Sequence, residues 1–169
     1  MTDFHALYER YARHVHRFAL FLCGDPALAD DITSETFVRA WTSPGPIREE
    51  TVKAYFFTIA RNLYHDFLRR ARRRAVLHEN IADTRADASE QAHARSELSF
   101  VLAAMQELPE SDRAALLMRA REEMSYEEIA QALGLSLSAV KVKIHRARAK
   151  LMQRMSARNE RTSRSEKNV

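Results

Sequence analysis

Turn-forming residues are scarce in this chain, which holds 3 glycines and 4 prolines among 169 residues, against average usages of about 7% and 5%. All-β folds and glycine-loop nucleotide folds need many more such residues, so a helical chain is the expectation. Cys23 is the single cysteine, which excludes an intramolecular disulfide and a multi-cysteine zinc site and suits a reducing compartment. No long uninterrupted apolar run is present, and the amino terminus, MTDFHALYERYARHVHR, interleaves charge with apolar residues from its first turn. That pattern lacks the apolar centre of a signal peptide and the length of a membrane span, so a cytoplasmic protein without membrane insertion is expected. The charge excess is modest, 27 Lys and Arg against 23 Asp and Glu for a net +4, and its meaning depends on where it clusters.

What is present is helical periodicity. Phe4, Leu7, Tyr8, Tyr11, Val15, Phe18 and Leu22 fall on one stripe of a first helix ending near Cys23-Gly24. Asp25-Pro26 restarts the chain as cap and first helical residue, and a second helix runs to about Trp41. TSPGP at 42–46 breaks it. A third helix follows from about Val52, with Phe56, Ile59, Ala60, Leu63 and Phe67 sharing a face, before arginines take over at Arg69, Arg70, Arg72, Arg73 and Arg74. Large apolar residues thin out over 75–97, which reads as a flexible acidic linker. Periodicity returns at Leu98 and lasts to about Met155, and the polar residues 156–169 read as a disordered tail. The predicted fold class is all-α: two small helical domains, 1–74 and 98–155, joined by the linker.

The second half contains helix-turn-helix grammar. Ser125 and Glu128 have capping-box spacing, Tyr126, Ile129, Ala130 and Leu133 form a buried stripe, and Gly134 suits a left-handed turn. On the following helix Leu137, Val140, Ile144, Ala147 and Leu151 face inward. The opposite face presents Ser138, Val142, His145, Arg146 and Ala149, with Ala139 and Lys141 flanking and Ser136 at its start. Its first residues suit base edges in a major groove, while Lys141, Lys143, Arg146 and Arg148 lie where phosphates would run. A charged, solvated helix is the plainer alternative, but cap, turn and basic second helix must then coincide by chance.

The first half mixes aromatics, amides and arginines over 55–70. Such a mixture suits single-stranded DNA, with rings stacking on bases and arginines neutralising phosphates. Phe56, Ile59, Leu63 and Phe67 are assigned to the core, and Arg61, Asn62, Tyr64 and His65 to nucleic acid. On the second helix Asp31, Ser34, Glu35 and Val38 form one ridge, equally compatible with protein docking and with a plain solvated face.

The stretches DDITSETFVRAW, KAYFFTIARNLYHDFLRRARR and LPESDRAALLMRAREEMSYEEIAQALGLSLSAVKVKIHRARAKL resemble, in order, the three signatures of the extracytoplasmic-function (ECF) sigma factors of the sigma-70 family. The resemblance implies that the first half binds and melts the minus-10 element and the second reads the minus-35 element. It implies docking of Asp31, Ser34, Glu35, Val38 and Arg39 on the clamp helices of the largest subunit of core RNA polymerase, with a second contact at the flap. It also implies that Arg61, Asn62, Tyr64, His65 and Asp66 border a flipped base, with Arg69, Arg70 and Arg73 on the same strand. An anti-sigma factor is the further partner implied, and no cofactor or metal. Ser34 departs from the glutamine common in the family, and Val142 from a small polar residue, which suggests contact with a thymine methyl.

Two other readings compete. A conventional helix-turn-helix regulator would need neither the 61–66 cluster nor the ridge on the second helix. An enzyme would need an assembled site, whereas His14 and His16 point in different directions on a helix and no HExxH or glycine-rich phosphate loop occurs. Cys23, beside Phe21 and Leu22, reads as a buried thiol in preference to a redox sensor.

Overall fold

The computed structural model describes residues 4–45, 47–48, 51–77 and 94–166, which form seven helices and no strand. They are α1 (Phe4–Cys23), α2 (Pro26–Thr42), α3 (Val52–Leu77), α4 (Ala94–Gln106), α5 (Glu110–Ala120), α6 (Tyr126–Leu133) and α7 (Leu137–Glu166).

The first three helices pack as a bundle. On α1, Leu7, Tyr11, Val15, Phe18 and Leu22 are buried, as the stripe predicts. Asp25 caps α2 by accepting hydrogen bonds from the N–H groups of Ala27 (2.9 Å) and Leu28 (3.2 Å), with Pro26 at the first helical position. Rings from all three helices meet in the centre: Phe18 with Phe57 at 4.7 Å, Tyr11 with Phe56 at 5.7 Å and Phe37 with Phe56 at 4.9 Å between centroids.

The helix-turn-helix forms as its caps dictate. Ser125 Oγ accepts from the Glu128 N–H (3.1 Å) and Glu128 Oε2 from the Ser125 N–H (2.6 Å). Gly134 takes φ 63° and ψ 38°, the left-handed conformation that closes α6. Val140, Ile144 and Ala147 of α7 are buried against α5 and α6.

Three features go beyond the sequence expectations or depart from them. First, the two halves are packed together: α1 touches α4 and α5, α3 touches α6, and one continuous apolar core joins them. The cause is α5, whose residues Asp112 to Met118 are all buried, five of them, Ala114 to Met118, apolar, so the helix must be covered on every side. Second, α7 continues through Glu166, which corrects the disordered tail expected at 156–169 as far as residue 166; residues 167–169 lie outside the described residues. Contacts from α4 and the turn after it hold its distal part: the Arg158 guanidinium lies 4.4 Å from the Phe100 ring centroid, Lys150 Nζ donates to the Glu107 carbonyl at 2.7 Å, and Arg154 pairs with the Glu107 carboxylate. Third, Phe67, assigned to the core, is 41% exposed, while Phe57 and Tyr64 are buried. α3 serves two sets of neighbours, α1 and α2 on one side and α6 on another, so a single stripe does not describe it. Most of the expected linker, 78–93, lies outside the described residues; at its edges helix extends to Leu77 and resumes at Ala94.

Candidate nucleic-acid interface

The recognition face of α7 stands outward. Ser138, Lys141, Val142, His145 and Arg148 are exposed, Ala139 is half-buried, and Ser136 Oγ accepts from the Ala139 N–H at 3.2 Å to cap the first turn. The Lys141 ammonium and the Arg119 guanidinium both lie near the Tyr126 ring, at 5.6 and 4.7 Å from its centroid, so α6 steers Lys141 as well as supporting α7. Arg146 does more than point at phosphates. Its Nε and Nη2 donate to the two oxygens of Asp112 at 2.6 and 2.8 Å, and Lys143 Nζ donates to Ser111 Oγ at 2.9 Å and to Asp112 Oδ1 at 3.4 Å. Asp112 is wholly buried. Hydrogen bonds from Arg146 hold its carboxyl below the ordinary aspartate value, against burial, with the charges of Arg146 and Lys143 acting the same way. The basic pair therefore also seats α7 on α5.

On α3 the expected minus-10 residues divide. Asn62, Arg69, Arg70 and Arg73 are exposed. Arg61 is not free: its Nε and Nη2 donate to both Glu110 oxygens at 2.8 Å each, and His65 Nε2 lies 3.1 Å from the same carboxylate. Burial would raise the Glu110 carboxyl, but Arg61 and His65 outweigh it and hold it below the ordinary glutamate value. Asp66 pairs with Arg69 and lies 3.8 Å from Arg39. Tyr64, assigned to nucleic acid, is corrected to the core: it is 7% exposed, and burial pushes its phenol up, opposed by the neighbouring Arg113.

Asp31, Ser34, Glu35, Val38 and Arg39 are all exposed on α2, so the ridge exists as a surface. Arg39 Nε donates to Glu35 Oε1 at 3.1 Å. Behind the ridge, α2 and α3 enclose a groove of about 410 Å³ with Ile32, Leu63 and Phe67 as apolar lining and Asp31, Glu35 and Arg70 among its charged groups. Among the described residues no group of three or more His, Cys, Asp or Glu could hold a metal ion, and no helix is long and apolar enough to cross a membrane. His14 and His16 have separate partners, Glu122 and Asp30.

Sequence reasoning missed Glu110, Asp112, Arg113 and Glu122. Arg113 is buried under the joint between the halves, donating to the carbonyls of Met105 (3.1 Å) and Leu108 (3.3 Å); burial lowers its pKa, opposed by Tyr64 and Glu110 nearby. The one signal in the sequence was the unbroken apolar run Ala114–Met118, too apolar for a helix covered on one side only. Glu122, in the loop after α5, carries no local signature.

Two family models match the chain, Sigma-70 region 2 over residues 7–74 and Sigma-70, region 4 over residues 101–151. The ECF RNA polymerase sigma factor SigM of Bacillus subtilis (strain 168) is 30% identical over 147 residues, covering 86% of this chain and 90% of that one. This chain belongs to the ECF RNA polymerase sigma factor family. As a sigma factor it directs core RNA polymerase to promoters and initiates transcription. The same fold occurs in the sigma factor RpoE bound to the anti-sigma factor NepR from Bartonella quintana, with a TM-score of 0.73, 22% identity and coverage of 92% of this chain and 98% of that one. CnrH, in complex with the cytosolic domain of CnrY, is 29% identical with a TM-score of 0.68, covering 91% and 88%. The capped helix-turn-helix of the sigma factor lies within the region 4 match, and the α3 face lies within the region 2 match.

Proposed function

We propose that this sigma factor reads its promoter with two faces, one on each half. The α7 face, through Ser136, Ser138, Ala139, Lys141, Val142, His145 and Arg148, contacts the minus-35 duplex, with Lys143 and Arg146 adding charge from their seat on Asp112. The α3 face, through Asn62, Arg69, Arg70 and Arg73, holds the melted minus-10 strand, and Arg61, His65 and Asp66 join it once their carboxylate and arginine partners let go. The exposed ridge Asp31, Ser34, Glu35, Val38 and Arg39 docks on the clamp helices of the largest polymerase subunit, and the second half meets the flap. The functional units are 1–74 and 98–155. The protein acts in the cytoplasm, where its polymerase is, and carries out no chemistry of its own. RpoE is in complex with the anti-sigma factor NepR, and we extend that class of partner to this chain.

The observation that carries the reading is the division of α7, with Val140, Ile144 and Ala147 buried while Ser138, Lys141, Val142 and His145 stand in solvent behind a capped turn. Run-off transcription with purified core enzyme tests it. Wild-type protein should support promoter-specific transcripts, Lys141→Ala should weaken minus-35 binding with a smaller salt slope, and Asn62→Ala should leave duplex binding intact while reducing permanganate reactivity of the minus-10 thymines. Normal melting in Asn62→Ala would contradict the minus-10 assignment.

A further inference from the structure

The long cations around the recognition face of α7 are tied back to its edges. Arg146 has Nε and Nη2 on the two oxygens of Asp112, and Lys143 Nζ reaches Ser111 and the same carboxylate. An arginine reads guanine with two such parallel donors, and here they are already occupied. Lys141 Nζ sits 5.6 Å from the centroid of the Tyr126 ring, drawn toward α6. The hydroxyls of Ser136 and Ser138 lie 3.3 Å apart, and Ser136 also caps the first turn. The middle of the face is short and apolar by contrast. Val142 is 59% exposed between the buried Val140 and Ile144, with Ala139 about one turn before it and Ala149 about two turns after it on the same side. A single exposed valine is ordinary on a helix surface; this one stands at the centre of a face whose charged heads point elsewhere. Valine keeps one main rotamer in a helix, so its methyl groups are presented in a fixed place and lose little freedom on contact.

We propose that Val142 is a specificity-determining residue that reads the 5-methyl group of one thymine in the upstream promoter duplex. The role rests on the minus-35 reading of α7 above and specifies the base that this face selects. Among the groups that base pairs present in the major groove, the thymine methyl is the apolar one, and the others are hydrogen-bond donors and acceptors. A purine or cytosine edge against Val142 would be dehydrated by methyl groups that return no hydrogen bond, whereas thymine buries its own methyl there. Bringing Arg146 across to such a polar edge would strand the wholly buried Asp112 carboxylate. The buried aspartate that seats α7 therefore also biases the centre of its face toward thymine.

The test uses the full chain bound to core polymerase and a promoter duplex library randomised through the upstream element. Selection should leave thymine dominant at one position or more. Each thymine of the selected duplex is then replaced in turn by deoxyuridine, which lacks only the methyl group. At one position this should lower affinity about fourfold, the worth of one buried methyl group. Val142→Ala should lose a similar factor on the thymine duplex and no longer distinguish thymine from deoxyuridine there, because both changes remove the same contact. At that position 5-methylcytosine should bind the parent better than cytosine does, and Val142→Ala should bind the two equally. Each comparison is made within one protein, so a change in folded fraction cancels. The proposal is overturned if no deoxyuridine weakens binding, or if the penalty persists undiminished in Val142→Ala. A selection with no upstream sequence preference at all would instead remove the minus-35 reading of α7, and the role of Val142 with it.

Discussion

Two arginines proposed for DNA, Arg61 on α3 and Arg146 on α7, are both held by two parallel hydrogen bonds to a carboxylate of the same turn of α5. The arrangement looks alike, yet the carboxylates belong to different relationships. Asp112 and Arg146 lie in the same half, wholly buried on the acid's side, so their bond persists whatever the halves do relative to each other. Glu110 and Arg61 lie in different halves and their bond lasts only while the halves touch. A salt bridge within a packed unit fixes a recognition element in place, whereas the same chemistry across a joint makes access to such an element conditional.

The largest effect is expected from removing the packing beneath α7. Ile144→Ala, at a fully buried position, should cost roughly 2–5 kcal/mol in denaturant unfolding and abolish minus-35 binding. Next come the two arginines. Arg146→Ala strands a wholly buried aspartate with only Lys143 at 3.4 Å, whereas Arg61→Ala leaves a partly exposed glutamate still facing His65. Thermal unfolding should therefore show a greater drop for Arg146→Ala; equal drops would erase the distinction. Replacing Ser125 with alanine, which removes one side of the capping box, should cost about 1 kcal/mol.

Acid sharpens the same contrast. Asp112 and Glu110 are both held below their ordinary values, so each adds stability that is full above its unfolded-state value and is lost as pH falls through the lower folded value. The stability difference between wild type and Asp112→Asn should be largest near neutrality and shrink below about pH 4. A difference constant across that window would mean that the carboxylate charge contributes nothing. The smallest effect concerns Cys23, whose thiol donates to the Asp25 carbonyl at 3.3 Å and is pushed up by burial. Alkylation at neutral pH should be slower than for a free cysteine.

Local rules made much of the fold legible. The Asp25-Pro26 start, the Ser125 capping box and the Gly134 turn each involve a few consecutive residues, and the structure forms them all. The outward face of α7 was legible for the same reason, since Val140, Ile144 and Ala147 alone fix its rotation. Illegible were properties set by a second neighbour. Tyr64 and Phe67 exchanged places because periodicity reports one buried stripe and α3 has two. The end of α7 was invisible because Phe100 and Glu107, which hold Arg158 and Arg154, lie some fifty residues earlier in the chain. The ion pairs between the halves were invisible for the same reason, as His14, Arg17 and Glu122 are joined only by the tertiary fold.

The most direct measurement is a pair of distances in the free protein and in the complex with core polymerase, made with spin labels on a Cys23→Ala background. One pair spans the joint, from Arg72 on α3 to Gln131 on α6; the other lies within the second half, from Gln131 to Ala149 on α7, all at exposed positions. The joint-spanning distance should lengthen on polymerase binding while the other stays constant. A joint-spanning distance that does not change, in a complex that still initiates transcription, would contradict the conditional role assigned to Glu110.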